Sequence, residues 1–115
     1  SIVSVEEGRA VFEGTPGEEH YNPIGVVHGG YAATLLDSAM GCAVHTTLAA
    51  GEGYTTLALE NKFVRPILAS TGSVRAEADV VHRGRRQATA EARLLEADSG
   101  KLLAHATSTC LVITS

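Results

Sequence analysis

The sequence predicts an α+β domain in which one five-stranded antiparallel sheet wraps around one long helix. Three observations predict it. Apolar residues recur with a helical period from His28 to about Ala50, the only long stretch that does so. After Gly53 the period changes to two and holds through four strand-length segments. The inward positions of the last strands are mostly alanine, which leaves room for a bulky element to lie close, and the helix is the one available.

Each element has its own warrant. Gly8 to Gly14 reads as a short first strand, and Thr15 to Asn22 as a loop carrying Pro16, Gly17 and two acids. Pro23 and Gly25 mark a turn. In the helix, Ala32, Leu35, Leu36, Ala39, Met40 and Ala43 form an apolar stripe, while Thr34, Asp37 and Gly41 share another face. Gly51 and Gly53 are expected to end it. Tyr54 to Arg65 is a long strand stopped by Pro66. Ser73 to Arg83 alternates, with Val74, Ala76, Ala78, Val80 and His82 on one side and Ser73, Arg75, Glu77, Asp79 and Arg83 on the other. A hairpin turn at Gly84-Arg85 leads into Arg86 to Glu96, where Ala88, Ala90, Ala92 and Leu94 share a face. Asp98-Ser99-Gly100 is a second turn, and Leu102 to Ile113 is the last strand. Short turns make the last three strands antiparallel neighbours.

Composition narrows the classes. The 115 residues suit a single domain spanning 1–115, and the missing initiator Met points to N-terminal residues outside it. With 44% hydrophobic and 19% charged residues the chain has the composition of an ordinary soluble globular domain. A net charge of −4 gives no overall footprint for nucleic acid. No apolar run is long enough to span a membrane, and Ser1 to Ala10 lacks the pattern of a signal peptide. Cys42 and Cys110 stand far apart in apolar surroundings, as two buried free thiols in a reducing, cytoplasmic setting would. The scattered histidines have no ligand spacing, so no metal site is expected. There is no G-x-S-x-G and no Walker sequence, which removes the serine-elbow and phosphate-loop chemistries. Few aromatics and much alanine suggest a core completed by association.

The chemistry concentrates in Asn22-Pro23-Ile24-Gly25-Val26-Val27-His28-Gly29-Gly30, followed by Asp37. Backbone N–H groups at a helix start can hold a carbonyl oxygen. Asp37 is the only Asp, Glu, Lys or Arg between His28 and Glu52, which marks it as functional or interfacial. Arg83, Arg85 and Arg86 cluster at the hairpin, a basic spot in an acidic chain suited to phosphates, with Arg65 as a weaker candidate.

The predicted architecture and the Asn22…Gly25-x-x-His28-Gly29-Gly30-x6-Asp37 pattern resemble the hotdog-fold acyl-CoA thioesterases of the phenylacetic-acid-degradation, PaaI-like type, from Gly8 to Ile113. The resemblance implies hydrolysis of an acyl-CoA thioester to a carboxylic acid and coenzyme A, without a metal or organic cofactor. It implies that the Gly29 N–H points at the thioester oxygen, beside Gly30, and that Asp37 is general base or nucleophile. It implies that Asn22 binds the carbonyl or holds the loop over it, that His28 positions the site, and that Thr56 orients the attacking water. It further implies a homodimer with the site at the interface, Asp37 and Thr56 of one subunit meeting Gly29 and Asn22 of the other, and a homotetramer built as a dimer of dimers. The arginine hairpin would receive the nucleotide phosphates. Three alternatives stand beside this reading. A hotdog hydratase would need a Gly-Asp-x-Asn-Pro-x-His run, which the chain lacks. A non-catalytic acyl-CoA-binding module would be expected to carry a further domain. A thioesterase for carrier-protein thioesters would look the same in sequence.

Overall fold

A computed structural model describes residues 2–16 and 29–114. The class is as predicted, but the sheet has six strands rather than five, in the order β1-β2-β4-β5-β6-β3. These are β1 (Ile2–Glu6), β2 (Arg9–Gly14), β3 (Glu52–Phe63), β4 (Val74–Arg83), β5 (Gln87–Glu96) and β6 (Leu102–Thr114), with helix α1 (Gly29–His45) between β2 and β3. The extra strand, β1, pairs antiparallel with β2 through Glu6–Arg9, Val5–Ala10 and Ser4–Val11. All five of its residues are exposed, so no buried face imposes the alternation by which a strand is read.

Ala32, Leu36, Ala39, Met40, Ala43 and Val44 of α1 are buried. They press on a sheet floor of Ala76, Ala78, Ala88, Ala90, Ala92, Leu94, Ala104 and Ala106, each 3% exposed or less. Leu36 and Met40 contribute about 1.5–3 kcal/mol each by leaving water. The helix ends at His45, five residues before the predicted stop at about Ala50. The last turn tightens through the Thr47 and Leu48 amides, which donate to the Val44 and His45 carbonyls, and the Thr46 and Thr47 hydroxyls donate to the carbonyls of Ala43 and Val44 at 2.6 and 2.7 Å.

Two bulges change which residues share a face. In β3 the register slips between Thr56 and Ala58, leaving Leu57 unpaired. Tyr54 and Thr56, and then Leu59, Asn61 and Phe63, therefore lie opposite the inward Val112, Cys110, Ser108, Ala106 and Ala104 of β6. In β4 the slip lies between Val80 and His82. His82 pairs with outward Thr89, and Arg83 with inward Ala88, the reverse of the predicted faces.

Arg83 and Glu52 clip the start of β3 to the end of β4. The Arg83 Nη2 donates to Glu52 Oε1 at 2.6 Å, and the Ala49 N–H donates to the same oxygen at 2.8 Å. The Ala49 amide, opposed by desolvation and helped by Arg83, holds the Glu52 carboxyl below its ordinary value of 4.5. A carboxyl depressed on folding adds stability that is complete above that ordinary value and is lost as pH falls through the lowered one. Glu52→Gln should therefore melt below wild type at pH 7, and the gap should close as melting curves are taken to progressively lower pH. A gap independent of pH would contradict the linkage.

Candidate active site

The helix lies mainly over β2, β4 and β5 and only lightly against β3 and β6. Gly29, Ala33, Asp37 and Gly41 recur every four residues, so they line one row of α1. Both ends of that row face β3. A side chain at Gly29 would stand 3.4 Å from the Phe63 ring, and one at Gly41 would overlap the Tyr54 hydroxyl. Asp37 therefore sits on a row of small residues directed at β3, two turns past the helix start. Facing the row is the inner column of β3: Tyr54, Thr56, Leu59, Asn61 and Phe63. The arrangement sets one carboxylate on the helix side against two hydroxyls, those of Tyr54 and Thr56, on the strand side of a groove.

Exposure fits an open groove. Asp37, Tyr54 and Asn61 are half-buried, and Gly29, Gly30, Thr56, Leu59 and Phe63 are exposed. Burial raises the Tyr54 phenol above its ordinary value of 10.0, and the negative charge of Asp37 adds to the shift, along with the two thiols. That coupling puts Tyr54 within electrostatic range of Asp37. Neither Tyr54 nor Asn61 stood out in the sequence. Asn61 holds a buried Oδ1 on the inner face of β3 that has no hydrogen-bond partner among the described residues.

At the helix start, Gly29 and Gly30 are the first two helical residues, and the Thr34 hydroxyl donates to the Gly30 carbonyl at 2.8 Å. The first N–H groups of a helix have no intrahelical acceptor and lie at the positive end of its dipole. Asn22 and His28 lie outside the described residues.

The rim of the groove is an edge. Among the described residues β3 pairs with β6 alone, and Leu57, Leu59, Phe63 and Val64 are 54%, 40%, 56% and 49% exposed along it. A long apolar edge strand is a template for a second strand.

Residues 24–103 match the family model described as the thioesterase superfamily. The chain belongs to that superfamily. Its resemblance to hotdog-fold thioesterases of the PaaI-like type also holds in three dimensions. A thioesterase-like, phenylacetic acid degradation-related protein from Ralstonia eutropha is 33% identical, with 96% of this chain and 83% of that chain covered and a TM-score of 0.86. A mutant of the phenylacetic acid degradation protein PaaI from Thermus thermophilus is 30% identical, with 96% and 90% covered and a TM-score of 0.87. A thioesterase from Haemophilus influenzae, at 23% identity, 98% and 77% coverage and a TM-score of 0.89, shares the fold. No curated protein matches by sequence.

The arginines of this thioesterase separate into two roles. Arg83 is half-buried and committed to Glu52 and to the Gly84 carbonyl, which makes it a structural clip. Arg85 and Arg86 are exposed and line a depression of about 570 Å³ with His82, Gly84, Gln87, Thr89 and Leu111. Arg65 donates to the Leu102 carbonyl at 2.8 Å and helps tie the end of β3 to β6. A second depression, of about 260 Å³, lies among the outward side chains Glu77, Asp79, Glu91, Arg93 and His105 and contains no predicted site residue. Cys42 is half-buried, more open than predicted, and Cys110 is buried; both are free. Among the described residues no group of His, Cys, Asp and Glu is arranged to hold a metal, and no helix is long and apolar enough to cross a membrane.

Proposed function

We propose that this thioesterase hydrolyses acyl-CoA thioesters in a homodimer whose two sites each combine residues of both subunits. The observation that carries the reading is the separation of Gly29 and Asp37 on one helix. Eight residues at about 1.5 Å each put them about 12 Å apart. Reacting groups must approach to about 3–3.5 Å. One thioester therefore cannot meet both from the same helix. It can if two β3 edges pair antiparallel, because α1 runs antiparallel to β3 and the second helix then runs back along the first. Gly29 of one subunit is carried toward Asp37 of the other, and the exposed apolar edge of β3 supports that pairing.

In this mechanism the Gly29 N–H receives the carbonyl oxygen and stabilises the negative charge that develops on it. Asp37 acts as general base, or as nucleophile through a transient anhydride. By the first route it takes a proton from water, which adds to the carbonyl carbon; the carbon–sulfur bond breaks, and the thiolate of coenzyme A leaves and is protonated. The products are a carboxylic acid and a thiol. Thr56 orients the water, and Asn22 and His28 hold the carbonyl side. No metal or organic cofactor enters the reaction. The free cysteines fit a reducing, cytoplasmic setting, and two dimers join as a tetramer. Arg85 and Arg86 receive the nucleotide phosphates.

The test is a panel of acyl-CoA substrates followed by thiol release, with acyl-carrier-protein thioesters in parallel. Faster turnover of the carrier-protein substrates would move the assignment to them. The phosphate contact has its own test. Neutralising Arg85 or Arg86 should raise KM roughly fivefold each, the worth of about 1 kcal/mol for an exposed charge pair, with kcat nearly constant. The effect should shrink as salt rises, and a thioester lacking the nucleotide should not register it. Unchanged KM values would leave these arginines as turn residues.

A further inference from the structure

One contact in the groove belongs to none of the roles above. Gly41 lies one turn beyond Asp37 on the same row of α1, and a side chain there would run into the Tyr54 hydroxyl. Tyr54 is rooted on the inner face of β3, opposite Val112. Its half-buried ring thus crosses from the strand to the helix and meets it where the helix has no side chain. The groove is closed at that point.

We propose that Tyr54 is the end wall of the acyl pocket and sets the longest acyl group that this enzyme accepts. The inference rests on the thioesterase reading and deepens it to a substrate class: short acyl thioesters. Four residues from Asp37 to Gly41 place the wall about 6 Å along the helix from the carboxylate. That distance holds a chain of roughly four or five carbons, or one ring. The thiol half of the substrate, with its long arm and nucleotide, does not fit so short a space, so the blocked end takes the acyl half and the open side of the groove takes the rest. Thr56, two residues after Tyr54 on the same face and just ahead of the bulge, flanks the reacting carbon.

The experiment measures kcat/KM for straight-chain acyl-CoA esters from acetyl to palmitoyl, in wild type, Tyr54→Leu and Tyr54→Ala, with melting curves for each. Wild type should favour the short chains and fall steeply beyond roughly six carbons, since a single methylene in a fitted pocket changes the rate by about 10–200-fold. Tyr54→Ala should raise the ratio of decanoyl to butyryl activity by about tenfold or more. A purely structural role would lower all substrates together and leave that ratio fixed. If Tyr54→Ala melts too low to assay, a second series decides: Gly41→Ala should displace the ring and alter the ratio, and adding Tyr54→Phe, which removes the overlapping oxygen, should restore it. Hydrolysis whose chain-length profile neither series moves overturns the wall while leaving the thioesterase reading intact. Absence of hydrolysis by wild type on every ester overturns that reading and the wall with it.

Discussion

An Asp37→Asn variant is expected to lose kcat by a factor of about 10²–10⁴, the contribution of a positioned base or nucleophile, while its melting temperature and its affinity for acyl-CoA stay near wild type. Three observations set this expectation. Asp37 is the only carboxylate of α1 and lies on the row of small residues that faces β3. It is half-buried, so it combines access to water with a partly apolar setting. It has a hydroxyl-bearing residue, Thr56, on the opposing column. Asparagine keeps the shape and removes the basicity. Single-turnover hydrolysis with a bound substrate separates chemistry from binding. Retention of more than about a tenth of kcat would be too much for a residue in this role, and would place the base or nucleophile elsewhere in the site.

The second large effect comes from the other end of the helix. Gly29 is the first helical residue, where proline is tolerated because the amide hydrogen has no intrahelical partner. Gly29→Pro therefore deletes the proposed oxyanion donor at small cost to the helix, and should lower kcat by about 10²–10³. Mixing the two defective chains makes the sharper measurement. In a hybrid dimer one site would hold both mutations and the other neither. Random reassortment should then restore roughly a quarter of wild-type activity, since about half the dimers are hybrids and each has one intact site. Two inactive parents that stay inactive after subunit exchange would mean that Gly29 and Asp37 do not act together across an interface.

The parts of this molecule that were legible in its sequence are those where one face is buried. The Ala32–Leu36–Ala39–Met40–Ala43 stripe and the alternating alanines of β5 and β6 print their period directly, because burial selects residue type at each step. Where burial gives no instruction, reading failed. β1 is exposed throughout and went unseen. The helix end was overrun because Thr46 to Ala50 continues without a charge or a glycine, while the turn tightens there through backbone bonds and two hydroxyls bonding backward. The bulges at Leu57 and Val81 reverse the parity of the alternation, so His82 and Arg83 exchanged faces. In the site, Asp37 was visible as an isolated charge and Gly29 as part of a local motif. Tyr54 was not, since its partner Gly41 is distant in sequence and a glycine says nothing of what occupies the space beside it. Arg83 was grouped with Arg85 and Arg86 by adjacency alone, although its partner Glu52 lies on another strand.

The alanine floor of the sheet has a consequence for how this fold can change. Most cores are vulnerable to deletion, since a leucine cut to alanine leaves a void. Here seven floor positions are already alanine and lie against a close-packed helix, so little remains to delete and almost any gain in volume must push the helix outward. Drift toward larger residues on the floor is blocked. Variation in bulk is channelled to the groove and the exposed edge of β3, where space is open. A lineage built on this scaffold can therefore alter what it binds more readily than how it packs.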